Sequence, residues 1–257
     1  MIELDFEIDA LNSMKSYPKN LYGKGNLSLL NRPKVSIVGT RRPSAYTRQM
    51  IYNLSKALSS RGICIVSGGA MGVDAIAHQG AGADNTIAIM ATSLDIRYPK
   101  VNQGLIKEIE NNGLTLSQFP PIFKATSWSF VLRNEIVVAL GDFLIVGEAD
   151  INSGSMHSVE YAIKMGKKIF VLPHRLGESK ATNRLLQDGI ATPIYNIESF
   201  ASQFGQSVDE SIIRDDFFYF CQTEPTLDSA IIKFGDKVYE AELEGIIVIE
   251  NGLLRLV

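Results

Sequence analysis

Two stretches decide the fold: VSIVGTRRPSAY at residues 35–46 and VSGGAMGVDAIAH at residues 66–78. Each is a short apolar run that breaks into a loop of small residues, and each loop leads into a helical pattern. A parallel α/β sheet offers anion sites in this way, at the carboxyl ends of its strands. The first loop adds Arg41 and Arg42. The second adds glycines whose N–H groups can face a phosphate. Two such loops on one sheet edge point to a nucleotide or a nucleic-acid strand.

Outward from these stretches the pattern repeats. Strands are expected at residues 35–38, 63–67, 86–90, 114–117, 143–146 and 169–172. They are apolar runs without strict alternation, as suits strands covered on both faces. Between them lie helical patterns. Over residues 45–60, Met50, Ile51, Leu54, Ala57 and Leu58 share one face, Ser44 is a fitting N-cap and Gly62 a fitting stop. Repeated strand–helix units give an α/β fold, an extended Rossmann-like doubly wound and mostly parallel sheet. It is expected over residues 34–205, behind an N-terminal extension of weak periodicity at 1–33.

Composition narrows the function. The 257 residues are 46% hydrophobic and 21% charged with a net charge of −3, so a generally basic nucleic-acid coat is excluded. Any such site is a local patch. The charge is uneven: residues 206–257 hold four Lys/Arg against eleven Asp/Glu, while residues 1–205 carry a net +4. This shift places a linker at 206–212 and a second domain at 213–257. There, helices are expected at 214–222, 227–234 and 236–243. A hairpin turning at Asn251-Gly252 follows, the order of a winged-helix-like module. The region of its third helix holds Asp236, Glu240, Glu242 and Glu244 against Lys237. That face repels phosphates and suits a protein contact better than duplex DNA. No apolar run has the length of a membrane span. The acidic start lacks the basic region of a secretory signal, and two cysteines give no disulfide framework. A reducing cytoplasm is the expected compartment.

The missing motifs also matter. Neither a dinucleotide fingerprint nor a P-loop nor a nucleophile elbow is present, and the histidines and cysteines have no metal spacing. No catalytic group, metal or cofactor is therefore assigned. Four loops should meet at the carboxyl edge of the sheet. The first carries Gly39, Arg41 and Arg42, with Pro43 and Ser44 fitting either a phosphate loop or ordinary helix capping. The second carries Gly68 and Gly69, fitting a phosphate cradle or a tight strand-to-helix turn. The third, TSWSFVLRN at residues 126–134, interleaves Trp128 and Phe130 with Arg133, with Lys124 close by. Such interleaving suits base stacking, although both rings also fit a core. The fourth carries Ser153 and Gly154, at a helix start that binds a phosphate or is simply capped.

The ordered series VGTRRPS (residues 38–44), SGGAMGVDAIAH (67–78), TIAIM (86–90), SLDIRYPKVN (93–102), SFVLRN (129–134) and EADINSGS (148–155) resembles the DNA-processing protein A (DprA/Smf) family. The resemblance covers about residues 34–200. It implies a non-catalytic protein that binds and protects incoming single-stranded DNA, dimerises, and loads the RecA recombinase during natural transformation. For the acidic C-terminal domain three roles stay open: binding a protein, blocking the DNA site, or recruiting other competence proteins. By position, Gly39, Arg41, Arg42, Gly68, Gly69, Phe130, Arg133, Asn134, Ser153 and Gly154 match the family's loops. Phosphate contact falls to the arginines and glycines, and base stacking to Phe130. The chain departs from the family at Glu135, His174 and Gln118, and at the uncharged Ser127 and Asn152. Lys124 or Arg97 is expected to compensate for lost basic charge. Two other readings stand beside this one. A phosphoribohydrolase-like Rossmann enzyme would use Asp74, Asp95 or Glu148. A nucleotide sensor would bind without turnover.

Overall fold

The computed structural model describes residues 1–205, 216–243 and 246–256. The chain divides into two compact units, Met1–Ser207 and Val208–Val257. In the first, the strands are β1 (Ile2–Glu3), β2 (Tyr22–Gly25), β3 (Lys34–Val38), β4 (Cys64–Ser67), β5 (Thr86–Ile89), β6 (Leu114–Ser117), β7 (Leu144–Val146), β8 (Ile169–Val171) and β9 (Thr192–Pro193). The helices are α1 (Ala45–Ser59), α2 (Val73–Ala81), α3 (Gln103–Asn112), α4 (Ser127–Leu140), α5 (Ser155–Lys164), α6 (Lys180–Gln187) and α7 (Ile197–Ala201). One nine-stranded sheet results, ordered β1-β2-β6-β5-β4-β3-β7-β8-β9. From β6 to β9 every pair is parallel. The chain lays strands outward from β3 in one direction through β6. It then returns to place β7 on the other side of β3. That reversal opens a crevice at the carboxyl ends of β3 and β7.

Two hydrophobic layers sandwich the sheet. Along β3, Val35 and Ile37 face the layer formed by α1, α2 and α7. Val38 faces the other layer, with α4, α5 and the N-terminal Leu11, Leu21 and Leu29. Ser36 turns the same way as Val38, and its Oγ donates to the Val137 carbonyl of α4 at 2.5 Å. The expected caps hold. Ser44 Oγ accepts from Thr47 N at the start of α1, and Gly62 has φ +81° after its end.

The N-terminal segment does more than extend the domain. β2 pairs antiparallel with β6, and β1 pairs with β2, so residues 1–33 complete one side of the sheet. The motif YGKG carries two glycines and no apolar run, so its extended form rests on its pairing with β6 and β1.

In the second unit, α8 (Asp216–Cys221), α9 (Leu227–Phe234) and α10 (Lys237–Leu243) precede the hairpin of β10 (Ile247–Glu250) and β11 (Leu253–Leu256). This is the expected three-helix and hairpin order. Asn251 and Gly252 both have positive φ, 52° and 76°, as a two-residue hairpin turn of that handedness requires. A single bridge from Thr226 to Leu253 adds the rudiment of a third strand. Phe217, Cys221, Ala230, Val238, Ala241, Ile247 and Leu254 form the core of this unit. The expected linker lies outside the described residues, as do Arg214, Asp215 and Val257.

Candidate functional site

The loops after β3 and β7, with the first turns of α4 and α5, enclose a cleft of about 740 Å³ at the crevice. Its walls include Gly39, Arg41, Phe130, Arg133, Asn134, Ser153 and Gly154. Sequence reasoning therefore brings seven of its eleven candidates to one place. Gly68 lies in an adjoining pocket that shares Arg41, Ala70 and Phe130 with the cleft. Arg42 and Lys124 are exposed and lie outside the walls, Lys124 directly before the wall residue Ala125. Gly69 also lies outside them. It shapes the second loop with φ +65°, and its carbonyl accepts from the Asn102 side chain at 3.0 Å.

Arg41 is exposed and stands over the Phe130 ring, with Cζ 5.2 Å from the centroid. A guanidinium on a ring face is a cation–π contact. Phe130 is half-buried, and Tyr98 lies beside it at 6.1 Å between centroids. Tyr98 was not singled out from the sequence, although it sits within a quoted motif. Trp128 lies apart from this group, 53% exposed and edge-on to Phe119 and Phe123.

Arg133 differs from its expected role. Only 4% of it is exposed. Its Nη1 donates to the Ile89 carbonyl at 3.1 Å and stands 3.7 Å from Asp74 Oδ2. It braces the back of the cleft instead of reaching a phosphate from the surface. The signal was in the spacing: Ser129, Arg133, Ile136, Val137 and Leu140 form one buried stripe of α4. Gly68 makes room for it, since a Cβ there would fall on the guanidinium. Asp74 accepts from Gly68 N at 3.2 Å. Burial pushes the Asp74 carboxyl upward, against the pull of Arg133, the Ala70 and Gly68 amides and Arg41. Burial, helped by Arg133, pushes the His78 imidazole down to about 3. His78 is thus neutral at pH 7. Its Nδ1 lies 2.6 Å from Thr86 Oγ1, which itself donates to Ile65 O.

The remaining loops are tied together. Asn134 Nδ2 donates to Gly154 O at 3.3 Å, fixing the start of α5 against α4. Glu148 accepts from Ser44 N, Ser44 Oγ and Thr47 Oγ1, at 3.0, 2.9 and 2.5 Å. Burial works against its charge. The Thr47 and Ser44 hydrogen bonds and the nearby His174 nevertheless hold the carboxyl below its ordinary range. Of the departures from the family pattern, Ser127 lines the cleft, whereas Glu135 and His174 face elsewhere. Glu135 accepts the Lys15 amide at 3.0 Å, joining α4 to the N-terminal segment. His174 bonds to Gly147 O at 2.8 Å and meets Tyr46 edge-on. Arg97 does not reinforce this cleft; it pairs with Glu110 at 2.6 Å and lines a different groove.

Chemically, the cleft presents an exposed cation, a ring face, small-residue loops and the start of α5. That set suits an anionic, partly aromatic ligand. The family model for DNA recombination-mediator protein A matches residues 7–205, reaching well into the N-terminal segment. DNA processing protein DprA of Bacillus subtilis is 33% identical over 193 residues, which cover 73% of this chain and 65% of that protein. DprA of Streptococcus pneumoniae is 36% identical over 183 residues, covering 70% of this chain and 64% of that protein. The chain thus spans slightly under two thirds of these curated relatives. Among solved structures, DNA processing protein A from Helicobacter pylori matches with a TM-score of 0.77 at 44% identity, covering 79% of this chain and 94% of that one. That structure was solved for the single-stranded DNA binding mode of the H. pylori protein. The S. pneumoniae DprA structure matches with a TM-score of 0.71 at 34% identity, covering 77% of this chain and 71% of that one. With these matches and a cleft built from the loops that carry the motifs, the chain belongs to the DNA recombination-mediator protein A family, also called DprA/Smf.

Proposed function

We propose that this protein binds single-stranded DNA in the cleft at the β3–β7 crevice and mediates recombination without catalysing a reaction. The observation that carries this reading is the meeting of Arg41, Phe130 and the Ser153-Gly154 loop in one cleft. Arg41 neutralises a phosphate, and Phe130 takes a base once the guanidinium leaves its face. The amides at the start of α5 offer a second phosphate contact. The H. pylori relative, with its single-stranded DNA binding mode, supports the same assignment.

The carboxylates an enzyme would need are otherwise engaged. Asp74 is buried against Arg133, and Glu148 caps α1. Asp95 accepts from the Ile122 amide at 3.1 Å. This favours binding over glycoside cleavage. Family membership supports the remaining parts of the reading: a cytoplasmic homodimer that loads the RecA recombinase onto incoming DNA. The acidic C-terminal unit would engage other competence proteins. Phosphate contact stays with Arg41 and, at the rim, Arg42 and Lys124, while Arg133 positions the second loop.

The test is fluorescence anisotropy of labelled oligo-dT and its matched duplex, titrated with the full chain at two salt concentrations. Tighter, salt-sensitive binding to the single strand is expected. Duplex binding as tight as single-strand binding, or no binding to either, overturns the reading. Arg41→Ala weakens binding and lowers the slope of log affinity against log salt by about 0.7, the share of one phosphate on a single strand. An unchanged slope removes Arg41 from the site. Phe130→Ala costs about 1–3 kcal/mol of binding if a base stacks there. Thermal melting of the variant separates that loss from unfolding.

A further inference from the structure

The cleft does not end at Phe130. A narrow pocket continues from it, sharing Arg41, Ala70 and Phe130 and reaching Tyr98 and Pro99. Beyond Tyr98 opens a groove of about 530 Å³ whose walls include Lys100, Gln103, Gly104 and Lys107. Tyr98 borders both spaces and is 46% exposed. Its ring is tilted 53° to Phe130, so the two rings do not clamp one base. They offer successive platforms.

The groove has free positive charge. Among its wall residues, Arg97 is held by Glu110, which also pairs with Lys24 at 2.7 Å. Lys100 and Lys107 are exposed and make no ion pair among the described residues. Asp95 is the acid on this wall, its carboxylate turned to the Ile122 amide. Lys100 precedes α3 and Lys107 lies on its second turn, and both line the groove. The segment is also fixed to the cleft. Asn102 Nδ2 donates to the carbonyls of Gly69 and Ala70 at 3.0 and 3.1 Å, so the groove moves with the second loop.

We propose that residues 98–107 form a second subsite for the same single strand. Tyr98 stacks the base that follows the one on Phe130, and Lys100 and Lys107 neutralise the next phosphates. This rests on the reading of the cleft as a single-strand site. The test compares oligo-dT of about 4 and about 12 nucleotides, a span typical of single-strand site sizes. The proteins are the full chain, its Lys100→Ala/Lys107→Ala variant, Tyr98→Ala and a control, Lys19→Ala/Lys168→Ala. The control removes the same charge from two exposed lysines outside these walls.

The unaltered chain binds the long strand more tightly than the short one. The double lysine variant keeps its short-strand affinity, and its long-strand salt slope falls by about 1.4, two phosphates' share. Tyr98→Ala loses about tenfold or more on the long strand, and the control behaves as the unaltered chain. Three outcomes overturn the subsite while the cleft stands: equal affinity for both lengths in the unaltered chain, an unchanged slope in the lysine variant, or an equal loss in the control. Absence of binding to either strand by the unaltered chain overturns the cleft and the subsite together.

Discussion

Alanine at Gly72 lowers the stability of the protein by about 3–5 kcal/mol, the sum of backbone strain and overpacking. Gly72 has φ +81° and ψ −130° immediately before α2. A side chain there is strained before it touches anything. Its Cβ would then fall on the Thr40 carbonyl, with the backbone C and Cα of Arg41 at 2.6 and 2.7 Å. No flexible side-chain end can yield, because the neighbours are main chain. The same approach lets Val73 N donate to Thr40 O at 3.1 Å, which joins the first loop to the second. Gly72→Ala therefore separates the two loops and also displaces Arg41. Urea unfolding measures the loss. Gly104→Ala is the comparison, since a Cβ there meets nothing within 4 Å. In a helix, that change is neutral or stabilising by up to about 1 kcal/mol. Equal midpoints for the two variants would contradict the loop contact.

Arg133→Met has a comparable effect for a different reason. It leaves Asp74 buried without its cation, and breaking a buried pair from one side costs about 3–5 kcal/mol. The loss depends on pH. Burial already raises the Asp74 carboxyl above its ordinary value in the folded protein. Removing Arg133 raises it further. A group raised on folding costs stability once ionised, so the Arg133→Met deficit is full at neutral pH. It shrinks as pH falls into the range where Asp74 takes a proton. Arg133→Met/Asp74→Asn recovers much of the loss at neutral pH and removes this pH dependence. A deficit below about 1 kcal/mol that is the same at every pH would show that the pair is not the brace described.

The sequence makes the parallel core legible because its strands are buried on both faces. All six expected strands match observed ones within one residue at either end. Apolar runs alone were enough there, and Ser44, Gly62 and Asn251-Gly252 mark their own boundaries through local chemistry. β2 has no such signature. Its residues pair with β1 and with a strand roughly ninety positions later, and that pairing, not a local pattern, makes YGKG extended. The cleft was legible loop by loop, since strand order alone brings the carboxyl ends together. The burial of Arg133 was not read from its motif, because a basic residue beside aromatics also suits a nucleic-acid surface. Its helical stripe, and its fit against a glycine 65 positions earlier, decide otherwise. The role of Tyr98 depended on which ring it would meet, and spacing along the chain does not encode that.

The ends of the nine-stranded sheet bear on crowding. The outermost strands, β1 and β9, are two residues long, and β9 contains Pro193, which has no N–H to give. A long bare edge is the template on which sheets of different molecules zip together. Here a neighbour would gain too few main-chain hydrogen bonds to extend the ladder. Copies of the protein can therefore crowd together without polymerising through these two sheet edges. A contact between copies across these two ends would be built from side chains, and so could be specific and reversible.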